Sequence, residues 1–360
     1  MSKGSRSSNN DKKAEKGKAQ SKSLASQNKS IKTSLPDDGY LFSMSAAPRL
    51  GETTHWFQML PILVFSAVII MITRMASYER PMDQFYFWSG SSRLNDFFSY
   101  YKMAAIVVCA SVVLLILLYK VFTQSFYIKR SYAYVPMLVY IIFVLMSYFF
   151  SEYKLFALWG WTDRFEGTVS LLCYMIMLFY IINFINSESN VKWMINLLAI
   201  SSTILGLLGL TQALNHDFFR TSLGKMMITP PSFWDHLDSL NFTFTDQIYQ
   251  TVYNINYVSF YLTLLIPIFG LLFIRSVMLG KDEPIYKKII WGALFTLLVF
   301  NLIGSASSGG LMGMAFVVLV GVIILNKKIV TWWKPVVMLV VLTVLIAGIS
   351  VNRWMPELTG

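Results

Sequence analysis

The chain has 360 residues, of which 55% are hydrophobic, 16% aromatic and only 14% charged. Soluble domains average about 45–50% apolar and about 25% charged residues, so a fold with this balance lacks the polar surface that keeps a domain in water. The composition excludes a soluble enzyme domain, a disordered protein and a nucleic-acid reader, and leaves a multi-spanning membrane protein.

The formal net charge of +11 is concentrated at the start of the chain. Residues 1–34 hold nine Lys/Arg, two acids and nine serines, with almost no apolar side chains. Such a segment buries too little surface to offset its ordering entropy, so residues 1–50 are expected to form a disordered basic cytoplasmic tail. Attraction to anionic inner-leaflet lipid is one role for it; fixing topology and solubility is the other. No short apolar core precedes a small-residue cleavage site, so the first apolar run, from Trp56, reads as an uncleaved anchor.

Runs of about 17 or more residues without a charge fall at 56–73, 103–119, 132–150, 168–187, 193–214, 251–274, 289–326 and 335–352. As one helix, 289–326 would be about 57 Å long, against a hydrocarbon core of about 30 Å. Its middle, Gly304-Ser305-Ala306-Ser307-Ser308-Gly309-Gly310, reads as a polar turn, so two spans are expected there. With the tail inside, 21 Lys/Arg fall on the inner side and 9 on the outer, as the positive-inside rule requires. The expected fold class is an all-α polytopic membrane helix bundle of about nine transmembrane helices over 51–351, N-terminus inside. Residues 352–360 are then expected to open an outer loop that is cut short. Cys109 and Cys173 lie inside apolar runs, with no disulfide or zinc spacing, and neither metal nor cofactor is expected.

None of the nine stretches carries Asp, Glu, Lys, Arg or His. Ion-coupled transporters accept the cost of about 2.5–3.5 kcal/mol for a charge at the bilayer centre; this chain does not, which directs attention to the outer ends of the spans. The segment 74–102 carries Arg74, Arg80 and Arg93 among aromatics, the pattern of an interfacial belt. In 151–167, Arg164 could clamp a phosphate bidentately with Glu166 orienting it, or Asp163, Arg164 and Glu166 could form a salt-bridged turn. The long segment 215–250 offers Arg220 and Lys225 to a second phosphate, and holds His216, His236 and Asp238 at no metal spacing. The Ser305–Gly310 turn, with Ser307 and Ser308, could hold an anion or serve as a tight polar re-entry.

Three of these elements recur in order. The stretch Leu158-Trp159-Gly160-Trp161-Thr162-Asp163-Arg164-Phe165-Glu166-Gly167 resembles the G…R-(aromatic)-E-G loop of the O-antigen ligase/polymerase superfamily. Tyr253-Asn254-Ile255-Asn256-Tyr257, followed by Pro267, resembles its N-P-N…P element, with Ile255 in place of the proline. Gly304–Gly310 resembles its S-R-(small) hairpin, without the arginine. The resemblance covers roughly residues 130–350. It implies a metal-independent, inverting glycosyltransferase of the bacterial plasma membrane, acting at the outer face. The donor would be an undecaprenyl diphosphate-linked glycan and the acceptor a glycan or lipid. Arg164, and more weakly Arg220, would hold the diphosphate; Glu166 would orient Arg164; Asn254 and Asn256 would hydrogen-bond the ligand, beside Ser307 and Ser308. The family's large outer loop with its histidine lies outside these 360 residues, so they are expected to insert without being active. A transporter or flippase for a lipid-linked glycan, and a non-catalytic membrane scaffold, are the competing readings.

Overall fold

A computed structural model describes residues 39–48, 51–52, 54–79, 93–162, 164–240, 242 and 247–354. Most of the basic tail, and Arg80 with residues 81–92, therefore lie outside the described residues.

The described chain is an all-α membrane bundle. Helix α1 covers Trp56–Leu63 and runs on through a π-helical turn, Val64–Val68, and a 3-10 turn, Ile69–Met71. Then follow α2 (Tyr100–Phe122), α3 (Tyr134–Phe150), the short α4 (Lys154–Trp159) and α5 (Thr168–Phe184). Next come α6 (Glu188–Ala213), the short α7 (Ser222–Ile228) and α8 (Ile255–Met278). Helices α9 (Ile285–Gly304), α10 (Ser308–Thr331) and α11 (Trp333–Trp354) complete the order. Six of these (α2, α6, α8, α9, α10 and the Trp333–Ser350 part of α11) are long and apolar enough to cross a membrane. Three shorter apolar helices, Trp56–Met71, Tyr134–Phe150 and Thr168–Phe184, accompany them. The 289–326 run is broken at Ser305–Ser307, where Ala306 takes a positive φ of 52°. Gly309 and Gly310 are not part of that turn: they lie in the first turn of α10, where Gly310 packs on Ser259 of α8 so closely that a Cβ would overlap it.

Two antiparallel strand pairs decorate the bundle. Strand β1 (Tyr40–Ser43) pairs with β4 (Tyr127–Lys129), and β2 (Ala76–Glu79) with β3 (Arg93–Asp96). Ordered structure thus begins inside the segment expected to be a disordered tail. Tyr40 and Tyr127 are in ring contact at 5.1 Å, and the Arg130 amide donates to the Gly39 carbonyl, so residues 39–43 do have apolar and hydrogen-bonding partners.

Two apolar cores hold the helices. One joins α1, α2 and α5 around Ile62, Val113, Met177 and Tyr180. The other joins α8 and α9 around Val258, Leu262, Phe269 and Leu298.

Between α6 and α8, residues 248–251 run through the interior without being helical, and all four are buried. Backbone without its own helical bonds survives in such a place only if other groups satisfy it. Here Gln212 Oε1 accepts from the Tyr249 and Gln250 amides, and Gln212 Nε2 donates to the Gln250 carbonyl. The Ile248 amide donates to the Gly304 carbonyl. The Gln250 side chain donates to Asn301 Oδ1 at 3.0 Å, and Asn301 donates in turn to the Gly206 and Leu297 carbonyls. The Thr251 hydroxyl donates to the Ile70 carbonyl, in the stretch where α1 changes pitch and its carbonyls lose their α-helical partners. Gly209 lets Asn301 and Ile248 approach; a Cβ there would overlap both.

Candidate functional site

The site begins with the loop between α4 and α5. Gly160 has a φ of +89°, open to glycine and strained for other residues. Its α-carbon faces the backbone of Glu166 and Gly167, and Gly167 faces that of Gly160 and Leu158; a Cβ on either would overlap main chain. The two glycines thus pinch residues 160–167 into a closed loop. Phe165, at φ 55°, turns its buried ring against Tyr78 and Tyr100 at 5.3 and 5.4 Å. The Ser170 hydroxyl donates to the Phe165 carbonyl and Thr168 Oγ1 to that of Ala157. Arg164 stands on this pinched loop with an exposed side chain.

The second wall is the start of α8. Asn254 caps it, its side chain accepting from the Asn256 amide at 2.9 Å. Tyr253, at φ 65°, turns its ring onto Phe98 at 5.7 Å. The third wall is the start of α2, where Ser99 is the N-cap residue and Asp96 Oδ2 accepts from the Ser99 and Tyr100 amides. Together Ser99, Trp161, Thr162, Arg164, Val252, Tyr253, Asn254 and Tyr257 enclose a cleft of about 440 Å³. The N-terminal ends of α2 and α8 border it directly, and the loop carrying Arg164 leads into that of α5. Helix N-termini carry partial positive charge and favour anions. The cleft therefore combines a guanidinium, an amide side chain, a hydroxyl and aromatic walls.

Arg164 and Asn254 are brought together in this cleft. Glu166 is not with them. It lines a separate cleft of about 390 Å³ with Phe143, Phe156 and Thr168; Trp161 lines both clefts. Among the described residues no ion pair joins Glu166 to Arg164, so the orienting role expected of Glu166 has no counterpart in the geometry; Phe165 between them, at a φ of 55°, breaks the extended alternation that would put residues 164 and 166 on one face. The Asp163 arm of the salt-bridged turn lies outside the described residues.

Arg220 also stands elsewhere. Its Nε lies 3.7 Å from Asp217 Oδ2, a buried carboxylate that also accepts from the Phe219 amide and the Tyr249 hydroxyl. Burial, and then the bond to this carboxylate, hold the Tyr249 phenol above its usual range. Arg220 is thus engaged in neutralising a buried acid that ties the 215–240 segment to the buried 248–251 segment. Asn256 and Ser307 are joined to each other: the Ser307 hydroxyl donates to Asn256 Oδ1 at 2.7 Å, accepts from the Gly310 amide, and lies 3.1 Å from the Ser259 hydroxyl. These groups fasten α8 to α10. Ser308, the first residue of α10, is exposed.

Two lining residues escaped sequence reasoning. Thr162 is buried and its hydroxyl has no hydrogen-bond partner; nothing in its local sequence marks it apart from its neighbours in the loop. Ser99 falls in the 74–102 segment read as an interfacial belt, and the Asp-x-x-Ser-Tyr pattern ahead of an apolar run is the available cap signal. Among the described residues no group of three or more His, Cys, Asp or Glu could hold a metal ion. Compared with known proteins, the chain matches no protein-family model, no curated protein and no solved structure.

Proposed function

We propose that this protein is a membrane glycosyltransferase that moves a glycan from a polyprenyl diphosphate donor at the outer face of the bacterial plasma membrane, with its N-terminus inside and nine spans. The observation that carries this reading is Arg164: an exposed guanidinium on a pinched loop, with no ion-pair partner among the described residues, in an aromatic-walled cleft bordered by helix N-termini at the ends of apolar helices. A diphosphate leaving group gains negative charge as the glycosidic bond breaks, and a fixed guanidinium is worth most when aimed at developing charge. Trp161, Tyr253 and Tyr257 suit the interfacial depth at which a lipid presents its phosphates.

The test is glycan transfer in native membranes by Arg164 variants of the chromosomally encoded protein. Arg164→Ala is expected to lose on the order of 10²-fold, as when one charge-stabilising donor is removed. Arg164→Lys keeps the charge, loses the planar fork, and is expected not to rescue. Folded yield should be unchanged in both, since the side chain is exposed. Near-wild-type transfer by Arg164→Lys would remove Arg164 from the site.

A further inference from the structure

Lys102 lies in the first turn of α2. Its Nζ donates to the carbonyl of Phe98 at 2.7 Å and to that of Thr251, 149 residues further along the chain. Each carbonyl belongs to the residue just before a wall of the Arg164 cleft: Phe98 precedes Ser99, and Thr251 precedes Val252, Tyr253 and Asn254. The Phe98 and Tyr253 rings meet across the same junction. The segment carrying the second wall has only local turn bonds, Val252 to Tyr249 and Asn254 to Val252, before α8 begins, and these do not tie it to α2, so its placement against the Ser99 wall depends on such side-chain anchors.

We infer that Lys102 is the positioning residue of the cleft, setting the separation between the Ser99 wall and the Val252–Asn254 wall and thereby the fit of a diphosphate headgroup. This rests on the reading of the cleft as a lipid diphosphate site. The molecule supplies its own control. Lys129 is built in the same way, its Nζ donating to the Ile182 and Ile185 carbonyls at 3.0 and 2.7 Å, but it joins β4 to the end of α5 and touches no wall of the cleft.

The experiment uses the full chain in nanodiscs, with undecaprenyl diphosphate as the probe and undecaprenol as the comparator lacking phosphates. Wild type, Lys102→Met, Lys102→Arg and Lys129→Met are compared for affinity. A ligand-free measurement accompanies it: in a background with Cys109→Ala and Cys173→Ala, the pair Ser99→Cys and Val252→Cys is cross-linked with bifunctional thiol reagents of graded length. Lys102→Met is expected to weaken diphosphate binding at least tenfold and to broaden the range of spacers that cross-link. Lys102→Arg, which can still donate to both carbonyls, should recover most of both. Lys129→Met should leave affinity and spacer range as in wild type. Wild-type affinity and spacer range in Lys102→Met, or equal losses in Lys129→Met, would overturn the assignment. If wild type binds diphosphate no better than undecaprenol, the headgroup reading fails, and the spacer range alone decides whether Lys102 sets the cleft.

Discussion

A methyl group on Gly160 or Gly167 has no space to occupy except that filled by the other's main chain. Gly160→Ala adds backbone strain at a positive φ to this overlap, and each effect is worth about 1–3 kcal/mol. The expected outcome is a clear drop in the thermal midpoint in detergent, with the cleft disordered around Arg164. Gly309→Ala is the contrast: a Cβ there meets its nearest atoms only at 4.0 Å, in the first turn of a helix. It should be neutral or stabilising by about 0.4–1 kcal/mol. A midpoint for Gly160→Ala equal to that of Gly309→Ala would refute the pinched loop. At this scale the sequence was informative about residue type and silent about direction. Arg164 could be singled out because an arginine flanks an apolar run, and Asn254 because residues 253–257 resemble the N-P-N…P element. That Glu166 lines a different cleft from Arg164 depends on a positive φ at Phe165, which leaves no local pattern; the Asp217–Arg220 pair is three residues apart and legible, but that Asp217 is buried under Tyr249 is set by chain 32 residues away.

Helices and strands show a different balance. Apolar runs located the long helices closely, because exclusion of charge is a property of each run by itself. The pitch change in α1, the strand pair β1–β4 and the buried 248–251 segment were not legible: each is stabilised by partners remote in sequence. The β4 strand carries a measurable consequence. Burial lowers the Lys129 ammonium to about 8 from an ordinary 10.5, while burial raises the Tyr127 phenol to about 12 from 10.0. Between about pH 8 and 10.5 the unfolded chain binds more protons at Lys129 than the folded one, so this residue makes stability rise with pH across that window. Tyr127 contributes stability that is full below pH 10 and is lost as pH climbs towards 12. Thermal midpoints measured from pH 7.5 to 10 should therefore climb in wild type relative to Lys129→Met. A parallel pair of curves would show that the Lys129 ammonium is not desolvated.

For the whole molecule, the proposed orientation rests on charge: the inner segments of the proposed nine-span arrangement would hold 21 of the 30 basic residues. Ser239 and Lys281 are both exposed and fall on opposite sides in that arrangement, whereas Cys109 and Cys173 are buried. Ser239→Cys should react with an impermeant maleimide on intact cells, and Lys281→Cys only after the membrane is opened. Labelling of both from outside would reject nine spans. The same arrangement puts the Arg164 cleft on the Ser239 side, where a lipid-linked donor would be presented.

The buried segment at 248–251 also has a history imposed by the order of synthesis. Its anchors Gln212 and Lys102 are made before it, but Asn301 and the Gly304 carbonyl follow by about fifty residues. At translation rates of about 5–20 residues per second, that is a wait of roughly 3–10 s. During it, the amides of Ile248 and the Gln250 side chain have no partner within the bundle and must stay in water. Nascent chains arrested before Asn301 should therefore be cut by protease near 248–254, and chains extended well past Gly304 should resist. The cleft, whose second wall continues this segment, is then completed late in biogenesis, only when α9 closes over chain that was already outside the ribosome.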